Sequence, residues 1–344
     1  MINIIGLESL QFCQNWIYLQ EKIGEGGSSD VYIAELCPLD LWSGWTRYQD
    51  LNIENLDSLE NPKVAIKLIK SSKQYSDRYS TDLVRREIKV WELGQHPNLV
   101  KILGFNDHQI DQNEFFQSPN AKYIVYELCQ SFTLGDIIKH TGKLGETWKL
   151  LFLQLCWAVE FLHLQGCWHL DLKLSNVLLD HNCNVKLSDF GCSVFNQQDE
   201  FGFKRGTFGY MAPEVLNLST GQTYDTYKAD IYSLGICLYV LMTGKLPNEW
   251  DDLENGWHST GSSLCKWIDC QNSEWQYEEV SLPTWIPEQV ELLLESMLCP
   301  NPDKRPSIEE VLSDPWFNDV TNENLIEETG NEMHHRILYL SSIA

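Results

Sequence analysis

"WHLDLKLSNVLL", residues 168–179, decides the reading of this chain. His169, Asp171, Lys173 and Asn176 stand at short fixed spacing between large apolar residues, just before the strand-like run Val177-Leu178-Leu179. Buried loops tolerate few unpaired polar atoms, so such a cluster has something to bind or something to do. Asp171 and Asn176 suit the orientation of a hydroxyl and the holding of a cation, with Lys173 a fixed positive charge between them. Downstream, "LSDFG" (187–191) places Asp189 after another strand-like run, where a carboxylate followed by Phe-Gly fits a hard-cation ligand on a hinge.

Toward the N-terminus, residues 16–36 read as strand, Gly-rich turn, strand, and Gly24 and Gly26 would let backbone N–H groups approach phosphate oxygens. A hairpin turn with positive φ would need the same glycines. "KVAIKLIK" (63–70) alternates as a strand does, and Lys67 lies on it among apolar residues. That lysine either meets an anion or carboxylate, or snorkels to water from an edge. Glu87 is the carboxylate candidate, on a helix expected over residues 80–94 with Ser80 and Thr81 as caps and Gly94 as its stop. "LVKILGF" and "KYIVYEL" supply two more strands. Beyond about Cys129 the pattern turns helical, in "LGDIIKH", "TWKLLFLQLCWAVEFLHLQG", "DIYSLGICLYVLMTG" and "PEQVELLLESML". A small strand-rich lobe followed by a larger helical one is therefore expected, joined near residues 127–132.

The chain has 344 residues, and a length of this order fits two domains or one large domain with additions. Hydrophobic residues at 43% suffice for a sizeable core, and a net charge of −24 argues against nucleic acid or anionic lipid as the main partner. The 11 cysteines include no CxxC pair, which predicts reduced, mostly buried thiols in an intracellular, cytoplasmic or nuclear protein rather than a zinc site. The first Lys is Lys22, so no secretory leader is expected, and the longest apolar run (231–242) is too short to span a bilayer. The adjacent His334 and His335 near the C-terminus are expected at the surface.

In their order and spacing, "GEGGSSDV", "VAIK", "HLDLKLSN", "DFG" and "MAPE" resemble the eukaryotic protein kinase family over about residues 16–318. The pattern is that of Ser/Thr members, similar to calcium/calmodulin-type kinases. The resemblance implies an α+β, bilobal fold: a small antiparallel β-sheet lobe plus helix C (16–128, with an insertion at 35–62) and a larger, mainly helical lobe (129–318). Residues 1–15 would be an extension and 319–344 an acidic tail.

It further implies ATP and Mg²⁺ as cofactors and protein substrates with Ser/Thr acceptors. Ile23, Gly24, Gly26 and Val31 would cover the nucleotide. Lys67, oriented by Glu87, would grip its α- and β-phosphates. Ala65, Val31 and Leu178 would sandwich the adenine, Glu127 and Cys129 would offer hinge backbone, and Tyr126, a bulky gatekeeper, would close the pocket behind it. Asn176 and Asp189 would hold the metal. Asp171 would take the substrate hydroxyl's proton, and Lys173 would neutralise the γ-phosphate. Thr207 would bond both, Glu214 and Arg305 would pair, and Asp230 would brace the loop.

Departures from the family pattern carry their own expectations. Leu170 stands where the family usually has Arg, which removes the grip on an activation-loop phosphate, and residues 194–206 contain no Ser, Thr or Tyr. Activity independent of activation-loop phosphorylation is expected. Ser29 replaces the third Gly of the phosphate loop, and Trp91 sits one helical turn after Glu87, where a smaller residue usually packs on the Phe of DFG. Thr133, Ser175 and Val240 occupy positions where basophilic relatives carry carboxylates, with Asp136 a candidate substitute. A non-catalytic scaffold or a small-molecule kinase would be the competing readings. Lys67, Asp171, Asn176 and Asp189 are all present against the first, and "GTFGYMAPE" stands against the second. Candidate docking surfaces are 35–62, 249–279 and the C-terminal tail; no basic amphipathic helix follows the catalytic region, so calmodulin control is not expected.

Overall fold

The computed structural model describes residues 9–12, 15–25, 29–36, 63–70, 77–106, 122–195, 203–219, 221–247, 268–269, 275–276 and 286–343. The chain divides into two compact units, Met1–Gln95 with Val100–Ser131, and His96–Leu99 with Phe132–Ala344.

The first unit is an antiparallel sheet of β1 (Ser9–Phe12), β2 (Asn15–Glu25), β3 (Ser29–Leu36), β4 (Lys63–Ile69), β5 (Ile102–Asn106) and β6 (Lys122–Glu127), in the order β1-β2-β3-β4-β6-β5. One helix, α1 (Asp77–Glu92), packs on β5 and β6. Strand alternation sorts the side chains by face. Ala34, Val64, Ile66, Tyr123 and Val125 share one face as a buried cluster, with Leu19, Leu68 and Leu103 against it. A fully buried Val or Ile of this kind contributes about 1.5–3 kcal/mol. The register puts Val31 opposite Lys67 and Ala65 opposite Tyr126, so these four side chains belong to the other face.

Residues 9–12, within the expected extension 1–15, add an edge strand to the sheet. One expectation is corrected here. Helix α1 begins at Asp77, so Ser80 and Thr81 lie inside it rather than capping it. A Ser or Thr signals a cap only where the next residues start the hydrogen-bond ladder, and local composition does not say which residue that is.

The second unit is built on α2 (Leu134–Thr141), α3 (Trp148–Leu164), α4 (Pro213–Leu216), α5 (Thr226–Thr243), α6 (Glu288–Met297), α7 (Ile308–Leu312) and α8 (Glu323–Ile343). Helix α5 is buried on nearly all sides, as its all-round apolar sequence requires. Asp225 caps it by accepting from Lys228 N, and Gly244 ends it at φ 78°, the left-handed conformation glycine adopts without strain. Gly235 lets α5 approach α6: a Cβ there would lie 2.9 Å from Leu298 Cδ2. Short strands β7 (Cys167–Trp168), β8 (Val177–Leu179), β9 (Val185–Leu187) and β10 (Val194–Phe195) form the ladders β7–β10 and β8–β9. The β8–β9 turn is made by Asp180, whose carboxylate accepts from the N–H groups of Asn182 and Asn184. A last ladder pairs β11 (Ile268–Asp269) with β12 (Trp275–Gln276).

The expected acidic tail, 319–344, forms α8, packed on α2 and α3. Leu325, Thr329, Met333, Ile337 and Leu340 make one buried stripe at helical spacing, which the acidic composition of the other faces concealed. Arg336 donates to the carbonyls of Thr141, Gly142 and Lys143, the orphan acceptors at the end of α2. Glu332 accepts from Gly145 N, Thr147 Oγ1 and Arg336 Nη2. His334 and His335 are exposed, and no metal-holding group of His, Cys, Asp or Glu occurs among the described residues. Most of the candidate docking insertions, residues 37–62 and the greater part of 249–279, lie outside the described residues. No helix among the described residues is long and apolar enough to cross a membrane.

Burial would raise the Glu332 carboxyl, but its Thr147, Gly145 and Arg336 donors outweigh this and hold it below its ordinary 4.5. A lowered carboxyl stabilises the fold above its unfolded value and loses that contribution as pH falls through the folded one. Glu332→Gln is therefore expected to cost about 1–2 kcal/mol at pH 7. The difference from the parent chain should shrink below pH 4.5 in denaturant titrations.

Candidate active site

In the first unit the site is organised around Glu87, which is 1% exposed. Its Oε1 lies 2.6 Å from Lys67 Nζ and its Oε2 accepts from the Tyr126 hydroxyl at 2.7 Å. Lys67 is thus not an edge lysine reaching for water. Its cross-strand neighbours are Val31 and Ile124, and its charge meets a carboxylate carried by α1. Ala65, two residues before it on β4, is buried on the same face. Gly24 pairs with Val31, and a Cβ at Gly24 would come within 3.3 Å of Val31 Cβ. Ile23 and Val31 are half-buried, and Gly26 lies outside the described residues.

Glu127 is tied to β5: its backbone N–H donates to Lys101 O and its carboxylate accepts from Lys101 N at 2.8 Å. Cys129 is buried. Trp91, in question from the sequence, stands edge-on to Phe105 with ring centroids 6.1 Å apart.

Beside the Gly-rich hairpin, Lys22 and Lys70 both reach Asp30 at 3.0 Å. Burial works to raise the Asp30 carboxyl, but the two lysines prevail and hold it below its usual range.

In the second unit the catalytic-loop candidates converge on Asp171. Thr207 Oγ1 donates to Asp171 Oδ1 at 2.7 Å, and Lys173 Nζ donates to Asp171 Oδ2 at 2.9 Å and to Thr207 Oγ1 at 2.7 Å. Asn176 Nδ2 donates to the Asp171 backbone carbonyl at 2.9 Å, which aims its amide oxygen the other way. Ser188 N and Oγ both donate to Asn176 O, while Val177 pairs with Leu187. The β8–β9 hairpin therefore holds Asn176 against Ser188, the residue before Asp189; Asn and Asp both offer oxygen donors of the type hard divalent cations take. Leu178 is half-buried on β8. Asp189 is in the left-handed region at φ 63°, ψ 71°, with Phe190 buried behind it.

The loop is braced from below. Asp230, in α5, accepts from His169 N and Leu170 N, both at 2.8 Å, and its Oδ2 lies 3.0 Å from His163 Nε2. Leu170 is held at φ 59°, strained for a residue with a side chain. His169 accepts from Asp171 N at Nδ1, so its Nε2 carries the proton and donates to Ser188 O. Its ring meets Phe190 edge-on at 5.3 Å.

Leu170 is buried and lines a cavity of about 10 Å³, room for about one water, with Arg205, Gly206 and Tyr224. Burial pushes the Tyr224 phenol up to about 12, which keeps it neutral. The segment around this cavity is tied at both ends: Arg205 Nη1 donates to Cys192 O, Lys204 Nζ to Leu216 O, and β10 pairs with β7. Farther out, Arg305 meets Glu214 in a bidentate pair at 2.7 and 2.8 Å, with further donations to Cys299 O, Lys228 O and Pro300 O. Asp136, considered as a recognition carboxylate, is engaged in a capping box with Thr133 at the start of α2.

The sequence reading missed two groups. The Tyr126 hydroxyl reaches Glu87, which the alternation of β6 could have signalled, since Ile124 and Tyr126 share the Lys67 face. His163 reaches Asp230 from α3, and no local pattern marks it, because the partners are 67 positions apart.

A model of the protein kinase domain matches residues 53–317. The chain belongs to the protein kinase family, and its antiparallel sheet with one helix and its helical second unit are that family's α+β organisation. Among its relatives is the CBL-interacting serine/threonine-protein kinase 24 of Arabidopsis thaliana, 36% identical over 266 residues, which are 76% of this chain and 53% of that protein. CBL-interacting protein kinase 10 of Oryza sativa subsp. japonica is 32% identical over 286 residues, 82% of this chain and 56% of its own. Hormonally up-regulated neu tumor-associated kinase homolog A of Xenopus laevis is 32% identical over 286 residues, 82% of this chain and 38% of its own. The chain thus spans about half the length of the first two.

Removing one partner of a buried ion pair leaves an uncompensated charge. Glu214→Ala is expected to destabilise the second unit by about 3 kcal/mol or more, seen as a shift of the denaturant midpoint at unchanged slope.

Proposed function

We propose that this chain is an ATP- and Mg²⁺-dependent serine/threonine protein kinase whose activity does not require phosphorylation of its activation segment. The observation that carries this reading is the Asp171–Lys173–Thr207 triangle, in which every polar contact is between 2.7 and 2.9 Å. A carboxylate has about four acceptor positions, so Asp171 retains capacity for a substrate hydroxyl beside Thr207, Lys173 and the longer 3.4 Å donation from Asn176 Nδ2. It orients that hydroxyl and takes its proton, while Lys173 neutralises charge on the group being transferred. Thr207 fixes the pair at a spacing suited to the short Ser or Thr hydroxyl. Lys67, aligned by Glu87, meets the α- and β-phosphates, and the apolar Val31 and Ala65 beside it suit an adenine ring. Asn176 and Asp189, both oxygen donors on adjoining backbone, would hold Mg²⁺, which supplies neutralisation of phosphate charge.

Independence from activation-segment phosphorylation is supported by Leu170, which is apolar and buried where a phosphate-binding Arg would stand, and by the backbone ties of Arg205 and Lys204. The kinase domain is proposed to span 16–318, because β2 and β3 hydrogen-bond into the same sheet as β4. Free, buried thiols such as Cys156 and Cys237 fit a reducing, intracellular setting. The names of two relatives record an interaction with CBL. For this chain, partner docking is proposed on the tail helix α8, whose Ile326, Leu338, Tyr339 and Ile343 are exposed.

Removal of a general base costs roughly 10²–10⁴-fold. Asp171→Asn is expected to lower phosphate transfer to a generic protein substrate by at least about a hundredfold, with Mg-ATP binding retained in calorimetry. Equal activity of parent and variant would sink the kinase reading. Phosphatase treatment of the parent should leave activity unchanged; a large fall traced to a site in residues 190–207 would refute the phosphorylation-independent part.

A further inference from the structure

The Glu87 carboxylate is engaged on both oxygens, by two different strands. Lys67 holds Oε1 from β4, and the Tyr126 hydroxyl holds Oε2 from β6. Lysine alone would be a loose tether, since its four-carbon stem rotates freely and its ammonium donates in any direction. The Tyr126 ring has two side-chain torsions and is 7% exposed, and its strand is hydrogen-bonded on both sides, by β4 and β5. A buried carboxylate oxygen without a donor is costly, so the hydroxyl favours the arrangement of α1 in which Glu87 also faces Lys67.

We propose that Tyr126 is a positioning residue: through its hydroxyl it clamps Glu87, and with it α1, in the orientation that aligns Lys67, so that this alignment is built into the sheet. The inference rests on the kinase reading and supplies the device that such a kinase needs when no phosphate orders its activation segment. It also gives the gatekeeper position a polar task beyond filling space behind the adenine.

The test uses Tyr126→Phe, which keeps the ring and its packing and removes one oxygen. The expected result is amide hydrogen exchange about tenfold faster across α1, Asp77–Glu92, with β4 and β6 unchanged, and a fall of about tenfold in kcat/KM for Mg-ATP. On a Glu87→Ala background the same change should add nothing to α1 exchange. Unchanged α1 exchange in Tyr126→Phe, or full additivity with Glu87→Ala, would overturn the clamp. The exchange measurement needs no catalysis, so a parent chain without phosphate transfer would sink the kinase reading and still leave the clamp decided. Should Tyr126→Phe fold poorly, Glu87→Gln serves in its place, since its amide oxygen can still accept from the hydroxyl: retention of α1 protection supports the clamp, and loss equal to that of Glu87→Ala overturns it.

Discussion

Asp230 carries the constraint on which the second unit's chemistry depends. Its carboxylate lies inside α5, 1% exposed, and takes the N–H groups of His169 and Leu170 with the ring of His163 beside them. A loop whose residue 170 is at φ 59° stores strain of the order of 1 kcal/mol or more. Two charge-assisted hydrogen bonds from one buried anion outweigh that cost, since such bonds run at about 1.5–3 kcal/mol each. The strained turn re-aims the chain so that Asp171, the next residue, faces Lys173 and Thr207 rather than the core. Helix α5 is the right carrier because its burial on almost every side leaves it little freedom to move.

The first unit solves a different problem, the burial of a lysine. Lys67 is acceptable on a central strand because Glu87 meets it, and Glu87 is acceptable at 1% exposure because Tyr126 satisfies its second oxygen. The three residues are mutually dependent, and their common face is set by strand register. The opposite face holds Val64, Ile66, Tyr123 and Val125 as a buried cluster. One alternation thus separates an apolar core from a charged site.

The motifs around Asp171, Lys67 and Asp189 were legible in the sequence because each combines a costly polar residue with an apolar frame at short range. The strands β2 to β6 and helices α2, α3, α5 and α6 followed from periodicity for the same local reason. Residues 9–12 and α8 were not recognised, since an edge strand and a docked helix take their stability from partners far along the chain. Arg336 meets carbonyls 193 to 195 positions away, a relation no window of sequence contains.

What the sequence alone determined is the inventory and order of the chemical groups: an ammonium, a metal-suited Asn and Asp, a candidate base, and a Leu where a phosphate-binding Arg would stand. Spacing within a loop or along a strand encodes those, because backbone geometry is regular over a few residues. Tertiary structure decided how the groups are held. It placed the Tyr126 hydroxyl on Glu87, His163 beside Asp230, and Asp136 in the capping box of α2. Those choices depend on which elements pack together, and packing is a property of the whole fold that no local pattern records.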